Sequence, residues 1–203
     1  MDLDSVIKNR RSIRSFYNLD ISLIDLLKIV ESGLYAPSAG DLQPWSFILI
    51  KSSEKKEELA KLTGEDWLIG ANTIIAVIGN KMNYELYFKE FACELLNQSI
   101  AACIQNMLLK ATELNISSCW VAGFEKEPIN KLLKLPKGKE CLALIALGFK
   151  AEEPKKKTIK SLFTCVFIEQ YGKKDLGEAG FIKEPNEVIE DIIKVFGEPP
   201  IKK

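Results

Sequence analysis

The stretch APSAGDLQPW at residues 36–45 says most about the fold of this 203-residue chain. An amphipathic helix, for which Ser22 is the candidate N-cap, precedes it. Pro37 ends that helix, and the small residues after it let a ligand approach the backbone. WSFILIK at 45–51 then has the continuous apolar character of a buried strand. The stretch therefore predicts a helix, a candidate ligand loop and a core strand in succession.

Outward from this unit, apolar extended runs alternate with helical patterns. Further strands are predicted at 73–79, 117–124 and 141–149, with an extended tail at 163–172. Further helices are predicted at 2–9, 53–61, 84–114, at 128–134 with Pro128 in first position, and at 185–196. Such near-continuous apolar strands indicate an α+β fold whose sheet is covered by helices on both faces. With no repeat or linker, we expect one domain over residues 1–203.

The overall composition excludes several classes of partner. Lysine plus arginine and aspartate plus glutamate both number 28, so no global charge attracts nucleic acid or an anionic membrane. No apolar run approaches the ~18 residues that span a bilayer, and the N-terminus lacks the apolar centre of a signal peptide. We therefore expect a cytoplasmic protein that binds neither nucleic acid nor membrane.

Histidine is absent and cysteine is sparse. The chain has no histidine and five cysteines without C-x-x-C spacing, which indicates reduced, mostly buried thiols. The absence of imidazole removes Ser-His and Cys-His nucleophiles and most zinc sites. The protein therefore either uses the chemistry of a cofactor or performs none.

A cluster of arginines follows the first predicted helix. Arg10, Arg11 and Arg14 lie within five residues, with Ser12 between them. Guanidinium groups grip phosphate or carboxylate oxygens in bidentate fashion, and a hydroxyl adds a neutral donor. Taken alone, the cluster fits a solvated helix end, whose charge complements the helix dipole, somewhat better than an anion site.

The cluster and the loop together carry a family resemblance. RRSIRSF at 10–16, followed by APSAGDLQPWSF at 36–47, resembles the start of the nitroreductase family of FMN enzymes. The resemblance continues in order through 64–79, 98–124 and 144–162. It implies a nitroreductase-like fold with a mostly antiparallel or mixed central sheet, in an entwined homodimer with FMN at the subunit interface.

The resemblance also implies roles for individual residues. Four residues would hold the phosphate, the ribityl chain and the polar edge of the flavin, with the last one also stabilising negative charge on the reduced ring: Arg10, Arg11, Ser12 and Arg14. Four would reach the flavin bound mainly by the other subunit: Pro37, Ser38, Ala39 and Asp41. The remainder would line the ring or complete the phosphate site: Glu65, Val121, Ala122, Gly123, Lys157 and Lys160.

Several positions depart from the pattern of the family. Asp41 and Glu65 stand where amides are usual, and Ile159 stands where arginine is frequent. The two carboxylates either lower the potential of the flavin or point away from it. The resemblance implies two-electron transfer from NADH or NADPH to an electron-poor acceptor, such as a nitroaromatic or a quinone, by a ping-pong mechanism.

Other functions remain open on the sequence. Dehalogenation or flavin breakdown could use the same scaffold, because fold alone does not fix the reaction. A flavin store or regulatory protein without turnover, or an interaction protein with a degenerate site, are the alternatives outside catalysis. Residues 163–203 either wrap a second subunit or dock on their own core.

Overall fold

Antiparallel strand pairing organises the protein. The computed structural model describes residues 1–154 and 156–174. The chain divides into two compact units, Met1–Pro154 and the residues from Lys155 onward. In the first unit, five strands form one sheet: β1 (Phe16–Tyr17), β2 (Trp45–Ile50), β3 (Thr73–Asn80), β4 (Ser117–Val121) and β5 (Lys139–Lys150). β5 is central and pairs with β1, β3 and β4, while β2 lies at the edge beyond β3.

Helices cover both faces of this sheet, as expected. They are α1 (Leu3–Asn9), α2 (Leu23–Leu34), α3 (Ser53–Thr63), α4 (Lys81–Phe88), α5 (Ala92–Glu113) and α6 (Lys126–Leu132). One buried cluster packs the sheet against α2 and α5, and the other packs it against α3 and α6. The α+β class with an antiparallel sheet is confirmed, and the α2 cap is confirmed because Ser22 accepts a hydrogen bond from the amide of Asp25.

The long helix predicted at 84–114 is wrong. Two helices stand there, α4 and α5, separated by a 3-10 turn at Lys89–Phe91. Lys89 has φ 48° and ψ −117°, a conformation that breaks the helix. The apolar spacing continues across the break because both helices pack on the same cluster, so periodicity alone did not reveal it.

Glu140 on β5 ties two of these helices to the sheet. Its carboxylate lies 3.0 Å from Nζ of Lys81 on α4 and 3.1 Å from Nζ of Lys126 on α6. Burial acts to raise the pKa of Glu140, but the hydrogen bonds and charges of the two lysines outweigh it and leave the pKa below its usual value. The pKa of Lys81 is correspondingly raised by its hydrogen bond to Glu140.

Two smaller predictions also fail. Pro128 is the third residue of α6 rather than the first, because the helix begins at Lys126. The extended segment predicted at 163–172 contains a short helix, α7 (Leu162–Cys165), where the Thr164 amide donates to the carbonyl of Ser161. Local hydrogen bonds prevail there over the strand preference of the aromatic and β-branched residues. The helix predicted at 185–196 lies outside the described residues.

Candidate functional site

The arginine segment lies alongside β4. The Ile13 amide donates to the carbonyl of Ser118 at 3.1 Å, and Ser12 pairs with Ser118 in a parallel bridge. Ile13 is buried, whereas Ser12 and Arg14 are exposed. The alternation of one apolar anchor with polar neighbours therefore presents Ser12 and Arg14 to solvent on a fixed backbone.

Arg10 and Arg11 stand at the end of α1 and are half-buried. Arg11 Nη1 donates to the carbonyl of Lys8 at 2.6 Å and to that of Arg10 at 2.9 Å. These bonds satisfy carbonyls that the helix end would otherwise leave free, which is the helix-end role weighed from the sequence. The role of Arg11 as a cofactor ligand stays a prediction. In this structure its guanidinium donates to two backbone carbonyls instead.

Arg14 is held at its backbone and at its head. The Arg14 amide donates to Glu152 Oε1 at 2.7 Å, and the Ser15 amide donates to the same oxygen at 3.1 Å. The guanidinium carbon lies 5.7 Å from the centre of the Trp67 ring, within the range of a cation–π contact. Trp67 Nε1 donates to the carboxylate of Glu65. The contacts thus place Glu65 and Arg14 around one indole.

Several polar and charged residues affect the pKa of the Cys119 thiol on β4. Burial raises its pKa, and the charges of Arg14 and Arg10 and a hydrogen bond from Ser12 act in the opposite direction, while Glu65 raises it further. Cys119 itself is 2 % exposed, in agreement with the mostly buried thiols that the sequence indicates.

β4 ends in open backbone. Val121, its last residue, is buried, and Ala122 and Gly123 after it are exposed. Gly123 has φ 85°, and a Cβ built on it would meet no atom within 4 Å. A planar ligand could therefore approach this backbone closely.

The loop after α2 has left-handed backbone at three positions. Gly40, Asp41 and Gln43 have φ of 60°, 52° and 44°. Ser38 Oγ accepts a hydrogen bond from the Gln43 amide at 3.0 Å, and Asp41 Oδ1 accepts one from Gln43 Nε2 at 3.1 Å. Pro37 and Asp41 are exposed. The loop is internally bonded and presents polar groups outward.

This loop is anchored to the helices by a buried hydroxyl network. The Ala39 amide donates to Ser99 Oγ on α5 at 3.1 Å, and the Tyr84 hydroxyl on α4 donates to the same oxygen at 3.0 Å. Ser99 Oγ in turn donates to the carbonyl of Leu95 at 2.8 Å. Tyr84 and Ser99 thus hold the predicted ligand loop in place.

The predicted site residues form two separate groups in one chain. Within residues 1–154, no hydrogen bond or ion pair joins the arginine segment to the loop at 37–43. Lys157 and Lys160 belong to the second unit and are exposed, and their place in a phosphate site stays a prediction. Trp67 and Glu152 were not predicted, because their contacts with Arg14 follow from no local pattern.

Metal and membrane features are not found in the described structure. Residues 1–154 and 156–174 contain no group of three or more cysteine or acidic side chains placed to hold a metal ion. Over the same residues, each helix is too short or too polar to cross a bilayer.

Comparison with known proteins identifies the family. The model of the nitroreductase family matches residues 7–69 and 61–149. A protein of Archaeoglobus fulgidus, provisionally named an NADH dehydrogenase/NAD(P)H nitroreductase, is 29% identical over 153 residues, covering 73% of this chain and 85% of that protein.

Solved structures agree. A nitroreductase family protein from Clostridium difficile 630 superposes with a TM-score of 0.72 and 26% identity, over 84% of this chain and 99% of that one. A protein from Clostridium difficile R20291, described as an FMN-dependent nitroreductase, has the same fold with a TM-score of 0.71 and 24% identity, over 83% and 99% of the two chains. The arginine segment, the β4 terminus and the loop after α2 lie within the matched residues, and the chain belongs to the nitroreductase family.

Proposed function

We propose that the protein is an FMN-dependent oxidoreductase that passes two electrons from NADH or NADPH to an electron-poor small molecule, such as a nitroaromatic or a quinone. The observation that carries the proposal is that the segment holding Arg10, Ser12 and Arg14 lies alongside β4, the strand that leads into the open backbone at Gly123. Membership of the nitroreductase family and the fold shared with an FMN-dependent member support it.

The residues present fit FMN. Arg10 and Ser12 offer a guanidinium and a hydroxyl for a phosphate, and such charge-assisted bonds are among the stronger ones in proteins. Val121, Ala122 and Gly123 offer an apolar edge and an unhindered backbone for a flat ring. Arg14 projects from a fixed backbone and can stabilise negative charge on the reduced ring.

Bound FMN would supply the two-electron chemistry, with reductant and acceptor using the same place in turn in a ping-pong cycle. The chain itself contributes orientation and electrostatics. It contains no histidine, so an acceptor bound here takes its protons from water rather than from an imidazole. The Arg14 charge and the Gly123 amide are its two donors toward the ring.

We also propose that the protein acts as a homodimer. The loop at 37–41 is separate from the arginine segment, so it can complete the site of a second copy. Exposed apolar side chains on the first two helices, and at the residue after the second, support such an interface: Leu3, Ile7, Leu23, Ile24, Leu27 and Tyr35. For residues 163–203, wrapping the second subunit and docking on their own core both stay proposals. All five cysteines lie in the described chain and are free, which suits a reducing cytoplasm.

Removal of single charges tests the cofactor site. Arg10→Ala and Arg14→Ala should each weaken FMN binding roughly tenfold to a hundredfold, since losing a charge-assisted partner costs about 1.5–3 kcal/mol. Lys8→Ala is the matched control, because Lys8 is an exposed cation on α1 whose ion pair, among the described residues, is with Asp4. Titration of the apoprotein with FMN, followed by flavin fluorescence, measures the dissociation constants.

Two results would contradict the assignment. FMN affinity unchanged in both arginine variants would remove the phosphate and ring roles. A stable monomer that retains FMN, measured by light scattering, would contradict the interface site. Bound FMN that neither NADH nor NADPH reduces would instead indicate a flavin store.

A further inference from the structure

Arg14 and Glu65 carry opposite charges and share a neighbour without forming a direct pair. Within the described chain, no ion pair within 4.0 Å joins them. Both contact Trp67 instead: the guanidinium lies over the ring at 5.7 Å, and the carboxylate accepts the indole N–H. The negative face and the positive edge of the indole therefore each meet the complementary charge.

The indole is itself held in place. Trp67 is half-buried in the 3-10 turn Asp66–Gly70, and its ring centre lies 6.5 Å from that of Phe16. Phe16 is seated against Gly148 on β5, so closely that a Cβ on Gly148 would lie 2.6 Å from the Phe16 ring. Strand packing thus fixes Phe16, and Phe16 limits the movement of Trp67.

Two groups therefore determine where the Arg14 charge stands. Glu152 fixes its backbone, and Trp67 provides the surface on which its flexible side chain rests. A cationic side chain that is already held in place binds an anion more tightly than a mobile one does, because less side-chain entropy is lost on binding. Glu65, close to the same point, adds a negative charge that opposes part of the Arg14 field.

We propose that Trp67 and Glu65 are positioning residues for Arg14: Trp67 orients the guanidinium toward the flavin, and Glu65 holds the indole and offsets part of the Arg14 charge. The inference rests on the proposed FMN site. Its consequence is twofold: Trp67 strengthens FMN binding only through Arg14, and Glu65 makes the bound flavin harder to reduce.

A double-mutant cycle tests the first consequence. Trp67→Leu should weaken FMN binding about threefold to fivefold, which is the scale of one exposed cation–π contact. In the Arg14→Ala background the same change should have no further effect, because the group that Trp67 orients is gone. Trp67→Phe keeps a ring face and should lose less, and it replaces Trp67→Leu if that variant does not fold. A Trp67 effect that persists in the Arg14→Ala background would overturn the role.

The midpoint potential of bound FMN tests the second consequence. Glu65→Gln keeps an acceptor for the indole N–H and removes the charge, so the potential should rise by about 30 mV, equivalent to a tenfold change in the relative affinity for reduced and oxidised flavin. Asp66→Asn is the matched control: it removes an exposed carboxylate from the adjacent position and should shift the potential by less than a third of that. Equal shifts in the two variants would overturn the proposal.

These outcomes separate the inference from the function on which it rests. A wild-type protein that takes up no FMN overturns the proposed function, and the positioning role with it. FMN uptake by the wild type, together with an additive cycle or equal shifts in potential, overturns the positioning role alone.

Discussion

The replacement Ser99→Ala should destabilise the protein at the point where the loop after α2 meets the helices. Ser99 is 4 % exposed, and its hydroxyl accepts from the Ala39 amide at 3.1 Å and from the Tyr84 hydroxyl at 3.0 Å. Its own proton goes to the carbonyl of Leu95 at 2.8 Å. Alanine fits the space but leaves two donors without their acceptor.

The expected loss in the free energy of unfolding depends on whether each of the two donors has another acceptor in reach. A buried donor left unsatisfied costs about 1–3 kcal/mol. The Tyr84 hydroxyl retains a long contact of 3.5 Å to the carbonyl of Ala39, so its cost falls at the low end. The Ala39 amide has no such substitute. We expect Ser99→Ala to lower the free energy of unfolding by about 2–3 kcal/mol.

Tyr84→Phe is the matched control. It removes one donor and leaves Ser99 bonded to Ala39 and Leu95, so the expected loss is about 1 kcal/mol. Urea unfolding at one fixed protein concentration measures both values, and hydrogen exchange at the Ala39 amide should accelerate only in Ser99→Ala. A Ser99→Ala loss no greater than that of Tyr84→Phe, with unchanged Ala39 exchange, would refute the network.

Three further changes test other parts of the structure. Lys89→Gly should raise the free energy of unfolding by about 1 kcal/mol, because its φ of 48° with ψ −117° strains any residue with a Cβ; a lower melting temperature would contradict that backbone. Glu140→Gln should destabilise the protein at neutral pH. The loss of stability should shrink as pH falls through the lowered pKa of Glu140, because the wild type then loses the same charge. A loss of stability independent of pH would contradict the ion pairs of Glu140 with the two lysines. Burial raises the pKa of Cys103 and of Cys141 to about 12, above the unfolded value of 9.0. Both thiols should therefore stay unreactive in the folded protein, and its stability should decline as pH rises from about 9 toward 12. Rapid modification of either thiol in native protein, detected by mass spectrometry, would contradict their burial.

Most of the sheet and the ends of two helices could be predicted from local sequence. The run TIIAVIG at 73–79 is apolar on both faces because both faces of β3 are buried, and a continuous apolar run in the sequence indicates such a strand directly. Ser22 followed by Asp25 is a capping pattern that acts within one turn. Asn115 has φ 58° after α5, as its position at a helix end predicts.

What escaped prediction depends on distant contacts or on unmarked backbone. The break at Lys89 has no glycine or proline to signal it, and the apolar spacing runs through it. Glu152 contacts Arg14 although 138 residues separate them in the sequence. Trp67 contacts Arg14 only because the fold brings its 3-10 turn close to β1. The arginines and the loop were identified through the family resemblance, but which residue holds Arg14 required the tertiary structure.

Anaerobic reduction of the FMN-loaded protein tests the central claim most directly. The account predicts that the purified chain takes up one FMN per subunit, that NADH or NADPH bleaches its visible absorbance, and that a quinone or nitroaromatic then restores it. The absence of FMN uptake, or a bound flavin whose absorbance neither pyridine nucleotide changes, would contradict the proposed oxidoreductase function.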